Sequence, residues 1–306
     1  MRLPRRVALT TLSLLSAASL AACGAGSSDS STAAATEAGA SAASSASTTN
    51  GSGAVSGEIT VFAAASLQDS FEEIAKDFQA ENPDATVTFD FQGSQDLVSA
   101  LAEGSAADVL ATANSSTMQD ADDQGLVGAQ TEFATNALTL IVPQGNPAGV
   151  TGLDSSLDTA DLVICAPEVP CGAATQTLEK ELGVALNPVS EEQKVTDVRG
   201  KVESGEADAG IVYETDAKDA GNAVETIALP SNDVINHYPI AVTKDATNAA
   251  AAQAFVDYVL SDKGETILQD TYGFGAPGAT ATATSGTGAS ADASAEATAA
   301  TATATK

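Results

Sequence analysis

Two serines stand where a strand gives way to a helix. Ser66 closes the run ITVFAAAS, and Ser94 closes FDFQGS. After Ser66 the apolar residues Leu67, Phe71, Ile74, Ala75 and Phe78 recur at helical steps, and after Ser94 so do Leu97, Val98 and Leu101. Ser66 therefore reads as an N-cap whose hydroxyl bonds a free N–H of the first turn. The small residues Ala63, Ala64 and Ala65 leave the backbone bare there. Several N–H groups and a helix dipole then point one way, which suits an anion. A serine so placed caps its helix, donates to an anion or acts as a nucleophile. For the last role the chain offers one histidine, His237, and neither serine has the G-x-S-x-G surround of a nucleophile elbow.

The composition narrows the choice. The chain of 306 residues carries 12 Lys+Arg against 41 Asp+Glu, a net charge of −29. Such a surface repels nucleic acid and anionic lipid. Zinc held by Cys165, Cys171 and His237 lacks a fourth ligand of usual spacing. A ferric site wants paired tyrosines, and Tyr213 has none adjacent. The charges nearest Ser66 and Ser94 in sequence are Asp69 and Asp96, so an anion there is expected to be held by dipoles without a cation. A site of donors alone accepts a dianion fully. A protonated oxyanion would bring a proton with no acceptor, at about 1–3 kcal/mol.

The elements that must position these serines alternate. Strands are expected at 59–62, 85–91 and 108–111, with helices after Ser66, Ser94 and Asn114. A long apolar strand, 133–143, leaves this part. Segments 153–157 and 161–164 continue the alternation, followed by helices at 172–182 and 194–203, and the strand AGIVY ends on Tyr213. A second long strand, 237–243, returns, and helices at 248–260 and 263–269 complete the body. The expectation is α/β, with two lobes joined by a double-strand hinge: 55–135 plus 237–275, and 136–236. That is the two-lobed, type II periplasmic-binding-protein-like architecture, with a cleft that closes on a ligand.

The ends have another character. Arg2, Arg5 and Arg6 precede an apolar core, so 1–23 reads as an export signal. It ends Leu20-Ala21-Ala22-Cys23, which resembles the bacterial lipobox and implies lipidation of Cys23. Segments 24–54 and 276–306, rich in Ala, Ser, Thr and Gly, are expected to be a disordered tether and tail around a binding domain at 55–275. With Cys23 lipidated, Cys165 and Cys171 remain as an even pair outside the cell and read as a disulfide.

The chain resembles the molybdate-binding proteins of bacterial ABC importers. The motifs that carry this are ITVFAAASL at 59–67, FQGSQDL at 91–97, GSAADVLATA at 104–113 and APEVPCGAA at 166–174. TDVRGKVESGEADAGIVYETDA at 196–217, YPIAV at 238–242 and YGF at 272–274 continue it. The resemblance implies a tetrahedral oxyanion, molybdate or tungstate, held by neutral donors: the hydroxyls and N–H groups of Ser66 and Ser94, the N–H groups of Cys171 and Val198, and the Tyr213 hydroxyl. Position 171 departs from the family, where alanine is frequent, but the contact is through backbone. No cofactor and no catalysis are implied. The implied partners are an ABC permease and, through the lipid anchor alone, the membrane, for a monomer outside the cytoplasm. The alternatives are another tetrahedral oxyanion such as sulfate, and a serine hydrolase.

Overall fold

The computed structural model describes residues 55–279. The expected export signal 1–23 with Cys23, the expected tether 24–54 and the expected tail beyond 279 lie outside the described residues. Strand β1 (Ser56–Ala64) leads through a 3-10 turn (Ala65–Leu67) into α1 (Gln68–Glu81), and β2 (Asp84–Gln92) into α2 (Ser94–Ala102). Then come β3 (Val109–Ala111), α3 (Ser115–Asp123) and the 17-residue β4 (Val127–Pro143). The second half contains β5 (Leu162–Cys165), α4 (Pro170–Leu182), β6 (Ser190–Glu192), α5 (Val195–Glu203), β7 (Ala209–Tyr213), α6 (Glu214–Ala220) and β8 (Val224–Ile227). Strand β9 (Ile235–Thr243), α7 (Ala249–Val259), α8 (Asp262–Thr266) and a π-helical turn (Ile267–Tyr272) close the chain.

The strands lie in the order β2-β1-β3-β9-β4-β7-β5-β6, with β8 also paired to β4. The pairs β1–β2, β1–β3, β5–β6 and β5–β7 are parallel, whereas β4 and β9 run antiparallel to each other and to their other neighbours. Two long strands thus pass between two parallel α/β halves. The cores are separate. Leu140, Ile164, Leu178, Val198 and Ile211 belong to one, and Ile59, Phe71, Phe78, Tyr238 and Phe255 to another. This is the two-lobed fold, with β4 and β9 as the double crossing. The apolar face of α1 fills the second of these cores, where Phe71 meets Phe133 and Phe255 at 5.7 and 6.2 Å between ring centres. Truncating such a buried ring costs about 3–5 kcal/mol.

Asp108 ties this lobe together. Its carboxylate accepts from the N–H groups of Thr60 (2.8 Å), Thr247 (2.7 Å) and Asn248 (3.1 Å). Burial pushes its pKa up, but these donors outweigh burial and hold it below the usual value.

The structure differs from the sequence expectations at several points. Strand β4 begins at Val127 rather than Phe133, because the polar run before Phe133 pairs with the end of β9 (Gln130 with Ala241, Thr131 with Ile240). Segment 153–157 is not a strand. Asp154 accepts the Ser156 N–H at 2.8 Å and turns it into a 3-10 helix. Strands β6 and β8 and helix α6 carry too little apolar periodicity to be expected from sequence. The tail does not break away at 276: the Ala276 carbonyl accepts from Thr135 Oγ1, and the Gly278 N–H donates to Glu132 at 2.7 Å.

Candidate anion-binding site

Five strand-to-helix turns meet between the lobes, each at the carboxyl end of a parallel strand or of β7. They carry Ser66 after β1, Ser94 after β2, Cys171 after β5, Val195 after β6 and Tyr213 at the end of β7. All five line one small cavity, about 200 Å³ of empty space with its mouth included. The lobes approach closely at its rim. A side chain on Gly93 would come within 2.4 Å of the Gln193 carbonyl, so only glycine permits the contact. Gln95 Nε2 crosses between the lobes to the same carbonyl at 3.2 Å, and its Oε1 is buried without a partner.

The hydroxyls are arranged alike. Ser94 Oγ accepts the Ala113 N–H at 3.1 Å, and Tyr213 OH accepts from Asn236 Nδ2 at 2.8 Å. Ser66 Oγ is hydrogen-bonded to Tyr238 OH at 3.0 Å, and Tyr238 OH accepts from Asn136 Nδ2 at 3.4 Å. The Ser94 and Tyr213 hydroxyls therefore each take a hydrogen bond from an N–H of the protein and keep a proton to donate. Ser94 and Tyr213 are each 1% exposed, so those protons have little water to bond. Burial, above all, raises the Tyr213 pKa well above the usual phenol value, which keeps the hydroxyl protonated.

Backbone donors come from helix starts. Pro170, which lacks an N–H, is the first residue of α4 and Cys171 the second, so the Cys171 N–H has no intrahelical acceptor. Cys171 is bonded to Cys165. The loop between them presses on the helix, since a side chain on Gly172 would meet the Ala166 carbonyl at 1.9 Å.

Two sequence expectations need correction. Ser66 is not an N-cap: it lies inside the 3-10 turn, Leu67 is the residue before α1, and the Ser66 hydroxyl turns to Tyr238. Val198 does not line the cavity; Lys194 and Val195 do. Helix α5 is capped at Lys194, whose carbonyl already accepts the Asp197 N–H at 3.1 Å, so Val198 lies beyond the free N–H groups of the first turn, while its side chain packs over Gly210. Lys194, the cap of α5, also lines the cavity. His237 joins neither serine, in line with the sequence surroundings of the two serines, which already spoke against a serine–histidine pair: its Nδ1 bonds Glu132 at 3.1 Å.

Sequence reasoning also missed Asn136 and Asn236. Both are buried, and each orients a tyrosine hydroxyl beside the cavity. The available signal was an asparagine within each of two otherwise apolar strands.

A larger groove of about 990 Å³ lies between α1, α6 and the π-helical turn. Its lining of Asp69, Glu72, Glu73 and Asp219 against Lys76 is unsuited to an anion.

Two α/β lobes, a double-strand crossing and a cavity between them define the two-lobed solute-binding proteins. Residues 59–275 match the family described as bacterial extracellular solute-binding protein. A relative from Mycobacterium tuberculosis, Molybdate-binding protein ModA, is 43% identical over 222 residues, covering 72% of this chain and 85% of its own. The Haemophilus influenzae protein of the same name is 33% identical over 240 residues, with 73% and 92% covered. Among solved structures, the Azotobacter vinelandii periplasmic molybdate-binding protein superposes with a TM-score of 0.63 at 20% identity, covering 72% of this chain and 99% of that one. The chain belongs to the bacterial extracellular solute-binding family, with its molybdate-binding proteins.

Proposed function

We propose that the protein binds molybdate, and tungstate with it, outside the cytoplasm and delivers it to the permease of an ABC importer. The observation that carries this reading is the pair of buried hydroxyls of Ser94 and Tyr213, each already accepting a hydrogen bond from an N–H of the protein, with the Ser66 hydroxyl beside them. The proposed ligands are the hydroxyls of Ser66, Ser94 and Tyr213 with the N–H groups of Ser66, Ser94, Cys171 and Val195. Val195 replaces Val198 because its N–H precedes the first intrahelical bond. Donors from both lobes complete the site only when the lobes meet, so the ligand draws the hinge closed. The role is binding, not catalysis, in keeping with a family of solute-binding proteins. The protein acts as a monomer, held to the membrane by lipid on Cys23, and Cys23→Ser releases it from the membrane fraction.

The test is titration of the purified protein with molybdate, tungstate, sulfate and phosphate. Tight binding of the first two and weak binding of phosphate is expected. Ser94→Ala should weaken molybdate by about 1.5–3 kcal/mol, since a donor to a buried charge is lost. A preference for sulfate would favour the other tetrahedral dianion, and no oxyanion binding would overturn the reading.

A further inference from the structure

Arg199 is the one arginine among the described residues, and its guanidinium joins three helices. Its Nη1 lies 3.8 Å from Asp69 Oδ2 on α1 and 3.7 Å from Asp219 Oδ2 on α6. Its Nε lies 3.3 Å from Glu203 on α5 itself. Each helix starts at a cavity residue: α1 just after Ser66, α5 at Val195, and α6 just after Tyr213. Helix α1 belongs to the first lobe, and α5 and α6 to the second.

We propose that Arg199 is a positioning residue for the anion site, a clasp that sets the balance between open and closed lobes by holding Asp69 and Asp219 on one guanidinium. The proposal rests on the anion-binding reading above, and it concerns closure rather than contact with the ligand.

The clasp works chiefly by what it prevents. A single half-exposed ion pair contributes little. Closure, however, brings the carboxylates of Asp69 and Asp219 together across the lobes, and without a cation they repel. The surroundings do not supply a substitute. Facing Asp219 are Glu72, Glu73 and Lys76 along α1, Tyr272 bonded to Glu73, and Asp216 and Lys218 on its own helix. Glu203 also draws on the guanidinium. Burial first, and then the Asp69 carboxylate, push Asp219 up to about 6, while Arg199 opposes this. Below that pH the protonated Asp219 can donate to Asp69, replacing repulsion with a hydrogen bond. Dependence on Arg199 is therefore expected to be strong at alkaline pH and to fade on acidification.

The experiment compares the parent, Arg199→Met and Arg199→Met/Asp219→Asn, using molybdate as the probe. At pH 8 the single variant should bind about ten- to a hundredfold more weakly, mainly through faster dissociation. Binding should return towards the parent's at pH 5.5, and at pH 8 in the double variant. A purely structural role predicts no such recovery. Parent-like binding and dissociation at pH 8, or a loss that neither acid nor Asp219→Asn relieves, would overturn the clasp. If the parent binds no oxyanion, the functional reading fails by itself. Small-angle scattering of the unliganded proteins then decides: a more extended Arg199→Met at pH 8 supports the clasp, and an unchanged radius of gyration overturns it.

Discussion

Asn136 and Asn236 face one another in register where β4 and β9 cross between the lobes. Each gives its amide to the hydroxyl of a different buried tyrosine. Asn136 donates to Tyr238, which backs Ser66 of the first lobe, and Asn236 donates to Tyr213 of the second. One cross-strand pair therefore orients hydroxyls contributed by both lobes. The same Asn236 amide also satisfies the Ala113 carbonyl at 2.8 Å, beside the N–H that holds Ser94.

If Asn236 acts through Tyr213, the two should not contribute independently. Asn236→Ala and Tyr213→Phe are each expected to weaken molybdate by about 1.5–3 kcal/mol, the range for a hydrogen bond to a charge. The double variant should lose clearly less than the sum. Calorimetric titration of the four proteins measures the coupling, and strict additivity would show that Asn236 does not work through the tyrosine.

Val195→Pro separates the two candidate backbone donors on α5. Proline is favoured at the first helical position and removes the N–H there. Lys194, at φ −152° and ψ 151°, already has the extended conformation that a following proline requires. The fold should survive with a modest change in Tm, while molybdate affinity falls at least about tenfold, for one hydrogen bond to a charged ligand. Unchanged affinity would remove Val195 from the ligand set.

The Cys165–Cys171 bond closes a short loop, six residues apart in sequence, at the start of α4. A loop this small should contribute less than the ~3 kcal/mol expected for a 15-residue one. Its main effect is expected to be on the placement of the Cys171 N–H proposed as a ligand. Reduction is expected to raise Kd severalfold with only a small fall in Tm, read by titration and thermal melting with and without a thiol. Equal Kd in both states would leave the bond a stabilising role alone.

Asp216 is fully buried behind Tyr213, and burial above all raises its pKa to about 7, against the pull of Arg199. Its usual value is 3.8, so between these limits the folded protein holds a proton that the unfolded chain releases. The stability this provides is complete below the lower value and is lost as pH rises through the upper one. Stability should fall from pH 5 to pH 8, by at most about 1.4 kcal/mol per unit for this group. Asp216→Asn keeps an acceptor for the Tyr213 N–H, and should flatten the profile and raise Tm at pH 8. An equally steep profile in that variant would place the titration elsewhere.

The sequence alone determined the alternation of strand and helix, because apolar residues at steps of two and of three or four are a local property of the chain. Phe71, Ile74 and Phe78 mark α1 whatever packs against them, and AGIVY is apolar enough to read as β7 unaided. Ser66 and Ser94 were likewise legible, as hydroxyl residues where such strands give way to helices, whereas Cys171 and Tyr213 entered through the resemblance to the molybdate-binding proteins. The tertiary structure decided the rest, because it depends on partners distant in the chain. Val195 and Val198 both point inward from one helix, and only the cap at Lys194 shows which N–H is free. Strand β6 exists because β5 pairs with Ser190–Glu192, not because those residues favour a strand. The hydrogen bonds that fix these hydroxyls come from groups 19 to 172 residues away in sequence, so no local pattern could have encoded them.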